Sequence, residues 1–355
     1  MYFYSMCNNM KIYVNYVTDN PIEGDAPKVY LIDGDPNEIY RVEFIDSNKK
    51  KVLYSILSNT NNLLYGKVQW CINWEIKVYK NNSNELIYIN RYDAKNKVVF
   101  IKIDGYALGD NIAWIPYVEE FRKKHNCTVI CSTFYNYIFK NIYPEILFVQ
   151  PNISIDNIYS QHYIGASSNN RTYSPINYKD NPLQKVASSI LGLEHREVRP
   201  KLENNILNSK PRIEGKYVCI SEHASHEKKH WKEVQGWQKV VNLLKSEGYK
   251  VAVISREPTN LEGVIDLTGD RDLFERMIDL YHSDFYIGVS SGLSWLAWSL
   301  NKKVIMISDC TPSWCEFKEN NFRVIKNEIS EINYEIKENS SFKSVSNVIY
   351  NVING

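Results

Sequence analysis

The sequence nowhere runs through eighteen consecutive apolar residues, so no segment of its 355 residues is expected to cross a membrane as a helix. Its first residues, Met1-Tyr-Phe-Tyr-Ser-Met-Cys-Asn-Asn, lack the basic stretch followed by an apolar one that marks a secretory signal. Charge of one sign is not in excess either. Forty-two Lys and Arg stand against 41 Asp and Glu, a balance of +1 that removes the electrostatic case for nucleic acid. No G-x-G-x-x-G fingerprint is present, which counts against a nicotinamide dehydrogenase. Seven cysteines, an odd number in a long chain, read as free thiols in a reducing compartment. A cytoplasmic protein is expected.

What is present divides into three parts. Residues 1–97 read as all-β, with strands at Lys28–Asp35, Tyr40–Asp46, Lys51–Leu57, Val68–Tyr79 and Glu85–Arg91. Turns at Asp33-Gly34, Asn59–Asn62 and Asn81–Asn84 separate them. A small sandwich or barrel follows, with a packing or docking role. From Val98 strands and helices alternate, the pattern of a parallel sheet. Residues 98–200 form one such lobe and 201–355 another, joined by the run from Glu194 to Pro211. Residues 150–181 are polar and without clear periodicity. The predicted architecture is α/β, two Rossmann-like lobes with a cleft between them.

The organising stretch is Val98-Val-Phe-Ile-Lys-Ile-Asp-Gly-Tyr-Ala-Leu-Gly-Asp110. A short β-branched run of the kind found in buried strands leads into Gly105 and Gly109, then Asp110, then helical spacing to about His125. Asp110 reads either as the helix N-cap or as a general base at the ligand-binding edge of the sheet. Pro116 predicts a bend or a later helix start. A second candidate is Ser221-Glu-His-Ala-Ser-His-Glu-Lys-Lys-His-Trp231, leaving a strand. Its His223, His226 and His230 would share one face of a continuous helix and so suggest a metal, but Lys228 or Lys229 facing a phosphate is the better reading. The third, Ser290-Ser-Gly-Leu-Ser294, places small residues between a strand and a helix start and suits a diphosphate. Cys127 and Cys131 would lie about 13 Å apart on one strand, too far for a bridge. Cys310 and Cys315 make half a zinc site without a second pair. No metal and no cofactor are expected.

At these residues the chain resembles the glycosyltransferase family 9 heptosyltransferases, and within them the autotransporter O-heptosyltransferases. Gly105-Tyr-Ala-Leu-Gly-Asp-Asn-Ile-Ala-Trp-Ile-Pro116 is similar to that family's first-strand motif, whose Asp is the catalytic base. Ser221-Glu-His-Ala-Ser with Lys229-His-Trp231 and Gly236-Trp237 resembles its second-lobe entry, whose Lys contacts the donor phosphates. Gly288-Val-Ser-Ser-Gly-Leu-Ser-Trp-Leu-Ala-Trp298 resembles its donor turn, and Leu191-Gly-Leu-Glu194 with Arg199-Pro-Lys-Leu202 its interlobe segment.

The resemblance implies a GT-B fold behind a small β-domain, with inverting, metal-independent transfer of heptose from ADP-heptose to hydroxyls, serine above all, of a bacterial surface protein. It implies Asp110 as catalytic base, and Lys229, Trp231, Ser291, Gly292, Leu293 and Ser294 as donor-binding residues. Glu257, just past a strand, is the candidate partner of the donor ribose. The wider family has Asp-Thr-Gly-Leu-Ser-His where Ser290–Trp295 stands, a departure that fits the autotransporter branch. That branch also carries a four-cysteine iron element. The corresponding Arg323-Val-Ile-Lys-Asn-Glu-Ile-Ser-Glu331 has no cysteine and the sequence ends shortly after, so no iron is expected; a homo-oligomer independent of that element stays open. The alternatives are a same-fold transferase with another nucleotide sugar or a glycan acceptor, and a non-catalytic nucleotide-sugar-binding subunit.

Overall fold

The structure is a computed structural model. It describes all residues except 1–2, 8–9, 18–25, 104, 166–173, 202–203, 309–310, 313–314 and 325–339. The chain divides into two compact units, Met1–Tyr106 with Trp114–Arg196, and Ala107–Ala113 with Glu197–Gly355.

In the first unit eight strands build two antiparallel sheets. These strands are β1 (Phe3–Cys7), β2 (Met10–Asn15), β3 (Lys28–Ile32), β4 (Tyr40–Asp46), β5 (Lys51–Ser58), β6 (Asn62–Tyr65), β7 (Trp74–Lys80) and β8 (Glu85–Arg91). Their orders are β1-β2-β3-β6 and β5-β4-β7-β8. Alternation is strict where one face is covered: Met10, Ile12 and Val14 are buried on β2, and Trp74, Ile76 and Val78 on β7. The strand expected at Val68–Tyr79 starts only at Trp74. Before it the backbone turns aside, and the Cys71 N–H donates to the Ile190 carbonyl at 2.8 Å. Asn62, read as part of a turn, begins β6.

The parallel part of this unit comprises β9 (Val98–Ile103), helix α1 (Leu108–His125), β10 (Thr128–Thr133), α2 (Asn136–Phe139), β11 (Ile146–Val149), β12 (Ser160–Tyr163) and α3 (Leu183–Ile190). The sheet order is β11-β10-β9-β12, every pair parallel. Strand β12 lies inside the polar stretch where none was expected. Its Ser160, Gln161 and His162 are buried, so burial here follows hydrogen bonds rather than an apolar pattern. Ser160 Oγ meets the Tyr92 hydroxyl at 2.9 Å, and the Asp93 N–H donates to Tyr159 Oη at 2.8 Å. Tyr16, Tyr92 and Tyr159 pack together at 5.2–5.4 Å between ring centroids, joining the antiparallel part to the parallel sheet. Helix α1 is continuous through Pro116 and begins two residues before Asp110. The helix expected over Tyr135–Tyr143 is only the single turn of α2. Helix α3 follows the reading, with Pro182 at its start and Gly192 at φ +63° just past its end; there an added Cβ would sit 2.9 Å from the Cys71 carbonyl oxygen. Cys127 precedes β10 rather than lying on it.

The second unit holds α4 (Asn204–Leu207), β13 (Tyr217–Ser221), α5 (Gly236–Ser246), β14 (Lys250–Val253), β15 (Ile265–Asp266), α6 (Leu273–His282), β16 (Phe285–Val289), α7 (Gly292–Ser299), β17 (Lys303–Ile307), β18 (Asn321–Val324) and α8 (Phe342–Asn354). Its sheet is all parallel, in the order β15-β14-β13-β16-β17-β18. Counted from β13 this is 3-2-1-4-5-6, the order of doubly wound sheets. The strand cores Tyr217–Ser221 and Phe285–Val289 are buried throughout, as a sheet covered on both faces requires. Helix α5 buries Trp237, Val240, Val241 and Leu244 toward β14 and α8; Asp272 caps α6 by accepting from the Phe274 N–H at 2.7 Å. Among the described residues no helix is long and apolar enough to cross a membrane.

Candidate active site

Reversal of strand order puts a crevice outside the carboxyl ends of β13 and β16, where doubly wound sheets bind ligands. Ser221 pairs with Gly288 across these two strands, so the Ser221–Trp231 segment and the Ser290–Ser294 turn leave the sheet side by side. The first turn of α1, residues 107–113, belongs to this same unit.

At the second turn, Ser291 is the N-cap of α7 in extended backbone (φ −150°, ψ 172°), yet its hydroxyl accepts no helix N–H. It lies instead beside the Tyr286 phenol together with Ser221 and Ser294, and burial pushes that phenol up to about 12. The Ser294 hydroxyl donates to the Val289 carbonyl at 2.6 Å. What Ser291, Gly292, Leu293 and Ser294 offer a ligand is therefore chiefly backbone N–H at a positive helix end. The side chain of Ser294, fully buried, is spent on structure.

Gly109 and Gly292 have a tertiary reason rather than a turn reason. A Cβ on Gly109 would lie 2.9 Å from Trp295 Cδ1 and 3.5 Å from Gly292 Cα, and one on Gly292 would lie 3.0 Å from Leu108 Cβ. The starts of α1 and α7 thus touch through two glycines. Trp295 packs edge-on against Phe317 at 5.0 Å, and Phe317 stacks on Trp298 at 4.8 Å, backing that contact with aromatic rings.

Asp110 is the third residue of α1, not its N-cap, which corrects the capping alternative. It is half-buried, and among the described residues no donor hydrogen-bonds its carboxylate. Burial raises its pKa from 3.8 to about 6, and the Lys229 ammonium pulls in the opposite direction. Of the two candidate lysines, Lys228 is exposed, whereas Lys229 is half-buried with Asp110 in its field.

The three histidines do not form a metal face, because the segment is a 3₁₀ turn, Glu227–Lys229, and not a continuous helix. His226 Nδ1 accepts from the Lys228 N–H at 3.2 Å and thereby caps the turn that carries Lys229. His230 Nε2 lies 3.0 Å from the Ala224 carbonyl, and the rings of His223 and His230 meet edge to face at 5.4 Å. Among the described residues no three His, Cys, Asp or Glu side chains gather to hold a metal ion. Cys315 is half-buried, its thiol pushed up to about 12 by burial; Cys310 lies outside the described residues.

Glu257 is exposed in the loop after β14, at the same sheet edge. Trp231 goes elsewhere: it is 7% exposed, donates Nε1–H to the Ser340 carbonyl at 2.6 Å, and packs against Trp237 at 5.5 Å in the core. This side chain is a packing element. Trp231→Phe should lower stability by about 1–3 kcal/mol by removing the buried indole hydrogen bond to the Ser340 carbonyl, while ADP affinity measured by calorimetry stays at the wild-type value. Weaker ADP binding at unchanged stability would return Trp231 to the donor.

Two charged residues escaped the sequence reading. Glu316, 4% exposed, is ion-paired to Arg323 of β18, and Arg323 also donates to the Thr311 carbonyl. Lys229 lies in the field of Glu316 as well as of Asp110. Nothing in periodicity or motif marks either residue; they meet seven positions apart, across the start of β18.

Residues 181–314 match the profile of glycosyltransferase family 9 (heptosyltransferase). The autotransporter heptosyltransferase Aah of Escherichia coli is 31% identical over 295 residues, covering 79% of this chain and 74% of Aah. The inactive autotransporter heptosyltransferase BimC of Burkholderia thailandensis is 29% identical over 252 residues, 67% of this chain and 59% of BimC. In structure, the chain is similar to the dodecameric iron-containing heptosyltransferase TibC solved with ADP-D-beta-D-heptose. The TM-score is 0.83 at 23% identity over 98% of this chain and 96% of TibC, which places both in one fold.

Proposed function

This chain belongs to glycosyltransferase family 9, among its autotransporter heptosyltransferases, and on that premise we propose that it moves heptose from ADP-heptose to serine hydroxyls of an autotransporter-type surface protein, with inversion and without a catalytic metal. The fold is then of GT-B type, with the two parallel sheets as its Rossmann-like lobes. The observation that carries the reading is Asp110, a carboxylate raised to about 6 beside Lys229 and next to the start of α7.

In this mechanism the serine oxygen attacks the anomeric carbon as the bond from that carbon to the β-phosphate oxygen breaks. The bonding pair leaves on ADP, and the serine proton passes to Asp110, giving inversion. A base titrating near 6 is ionised at neutral pH yet basic enough to accept the proton in the transition state. Charge growing on the leaving diphosphate meets Lys229 and the N–H groups at Gly292 to Ser294, fixed before reaction and worth more in a partly dry site than in water. Glu257 is the proposed acceptor for the ribose hydroxyls. The seat of the protein in the cytoplasm follows from this donor.

An autotransporter passenger incubated with the enzyme and ADP-heptose should gain whole heptosyl units by intact-mass analysis. Gain with another nucleotide sugar instead would keep the transferase and overturn the donor. An inactive relative makes a third outcome informative: tight ADP-heptose binding without any mass gain would make this chain a binding subunit.

A further inference from the structure

Glu316 occupies a place that the transfer chemistry does not by itself require. It is more than nine-tenths buried, with Oε2 held by the Arg323 guanidinium and Oε1 without a hydrogen-bond partner among the described residues. Arg323 is itself fixed through the Thr311 carbonyl, so the carboxylate cannot swing away. The Ser290 hydroxyl, at the head of the donor turn, helps to hold its negative form, and so does the Lys229 charge; burial pushes its pKa up. Lys229 is a point charge on a flexible four-carbon stem, free to follow the stronger field. Among the described residues, the charged and titratable groups around it are Asp110 of α1, Cys315 and Glu316 of the loop before β18, Arg323 paired to Glu316, and Glu227 and His230 of its own turn.

We propose that Glu316, braced by Arg323, is a positioning residue that holds the Lys229 ammonium away from Asp110, so that the cation stays available to the donor diphosphate and the base stays unpaired. With Glu316 neutralised, Lys229 collapses onto Asp110, which withdraws the cation from the phosphates and engages the base before any acceptor arrives; loss of Asp110 alone has no such effect, because Arg323 already engages Glu316. The inference rests on the assignment of Lys229 to the diphosphate.

The test is calorimetric titration of the full chain with ADP. Glu316→Gln, which keeps shape and loses charge, should weaken ADP binding about tenfold. Adding Asp110→Asn to it should restore most of the loss, since no carboxylate then remains to capture Lys229. Thermal unfolding of the variants separates damage to the fold from the effect. Glu316→Gln with wild-type ADP affinity, or a tenfold loss that Asp110→Asn fails to restore, would overturn the proposal. A wild-type chain that binds no ADP would instead overturn the functional reading on which it rests.

Discussion

Asp110→Asn should cut heptosyl transfer by about 10²–10⁴-fold, the usual contribution of a general base, while ADP binding stays near that of the wild type. The substitution keeps the volume and the helix start, and removes the group proposed to take the serine proton. It should not cost stability. A carboxyl titrating near 6 when folded and 3.8 otherwise binds its proton more tightly in the native state. Stability therefore falls as pH rises from about 4 to 6 and is lower with the charge present. The Asn variant lacks that penalty, so its melting temperature at pH 8 should equal or exceed the wild-type value. In the wild type kcat/KM should fall as pH drops through about 6, where Asp110 takes up its proton. Transfer by the Asn variant at more than a tenth of the wild-type rate would remove Asp110 from the base role.

Lys229→Ala should weaken ADP binding by about 10–100-fold, the cost of a lost charge-assisted contact of 1.5–3 kcal/mol. It should also move the acid limb of kcat/KM upward from about 6. The sign follows from the cause: the ammonium lowers the Asp110 pKa, burial raises it, and deleting the ammonium leaves burial unopposed. Lys228→Ala, at an exposed position, is the control and should do neither. A downward shift of the limb, or ADP binding unchanged, would show that Lys229 does not link the base to the phosphates. The pair of results separates a lysine that merely stabilises its loop from one that faces both reacting partners.

The sequence by itself determined the alternation of the main strands and helices in the second unit, though not α4, β15 or β18. Apolar runs such as Tyr217–Ser221 and Phe285–Val289 are long enough, and bounded clearly enough, to read as buried strands, and Asp272, Gly248 and Gly192 mark helix ends by local chemistry alone. Asp110, Lys229 and the Ser290–Ser294 turn were legible because each follows a strand that the pattern reveals. What the sequence could not determine was anything settled by contacts between distant segments. Strand β12 is buried through hydrogen bonds to Tyr92 and not through apolar alternation, so no periodicity announces it. Gly109 looks like a turn residue and is a helical one, small because Trp295 and Gly292 lie against it. Trp231 stands among ligand-binding residues in sequence, but the Ser340 carbonyl, 109 positions away, draws its indole into the core. Lys229 enters the field of Asp110 and of the Glu316–Arg323 pair only when the fold gathers the start of α1, the turn after β13 and the loop before β18. Local pattern fixes which groups reach the sheet edge; the field each one feels is a sum over charges from segments far apart in the chain, and folding alone assembles it.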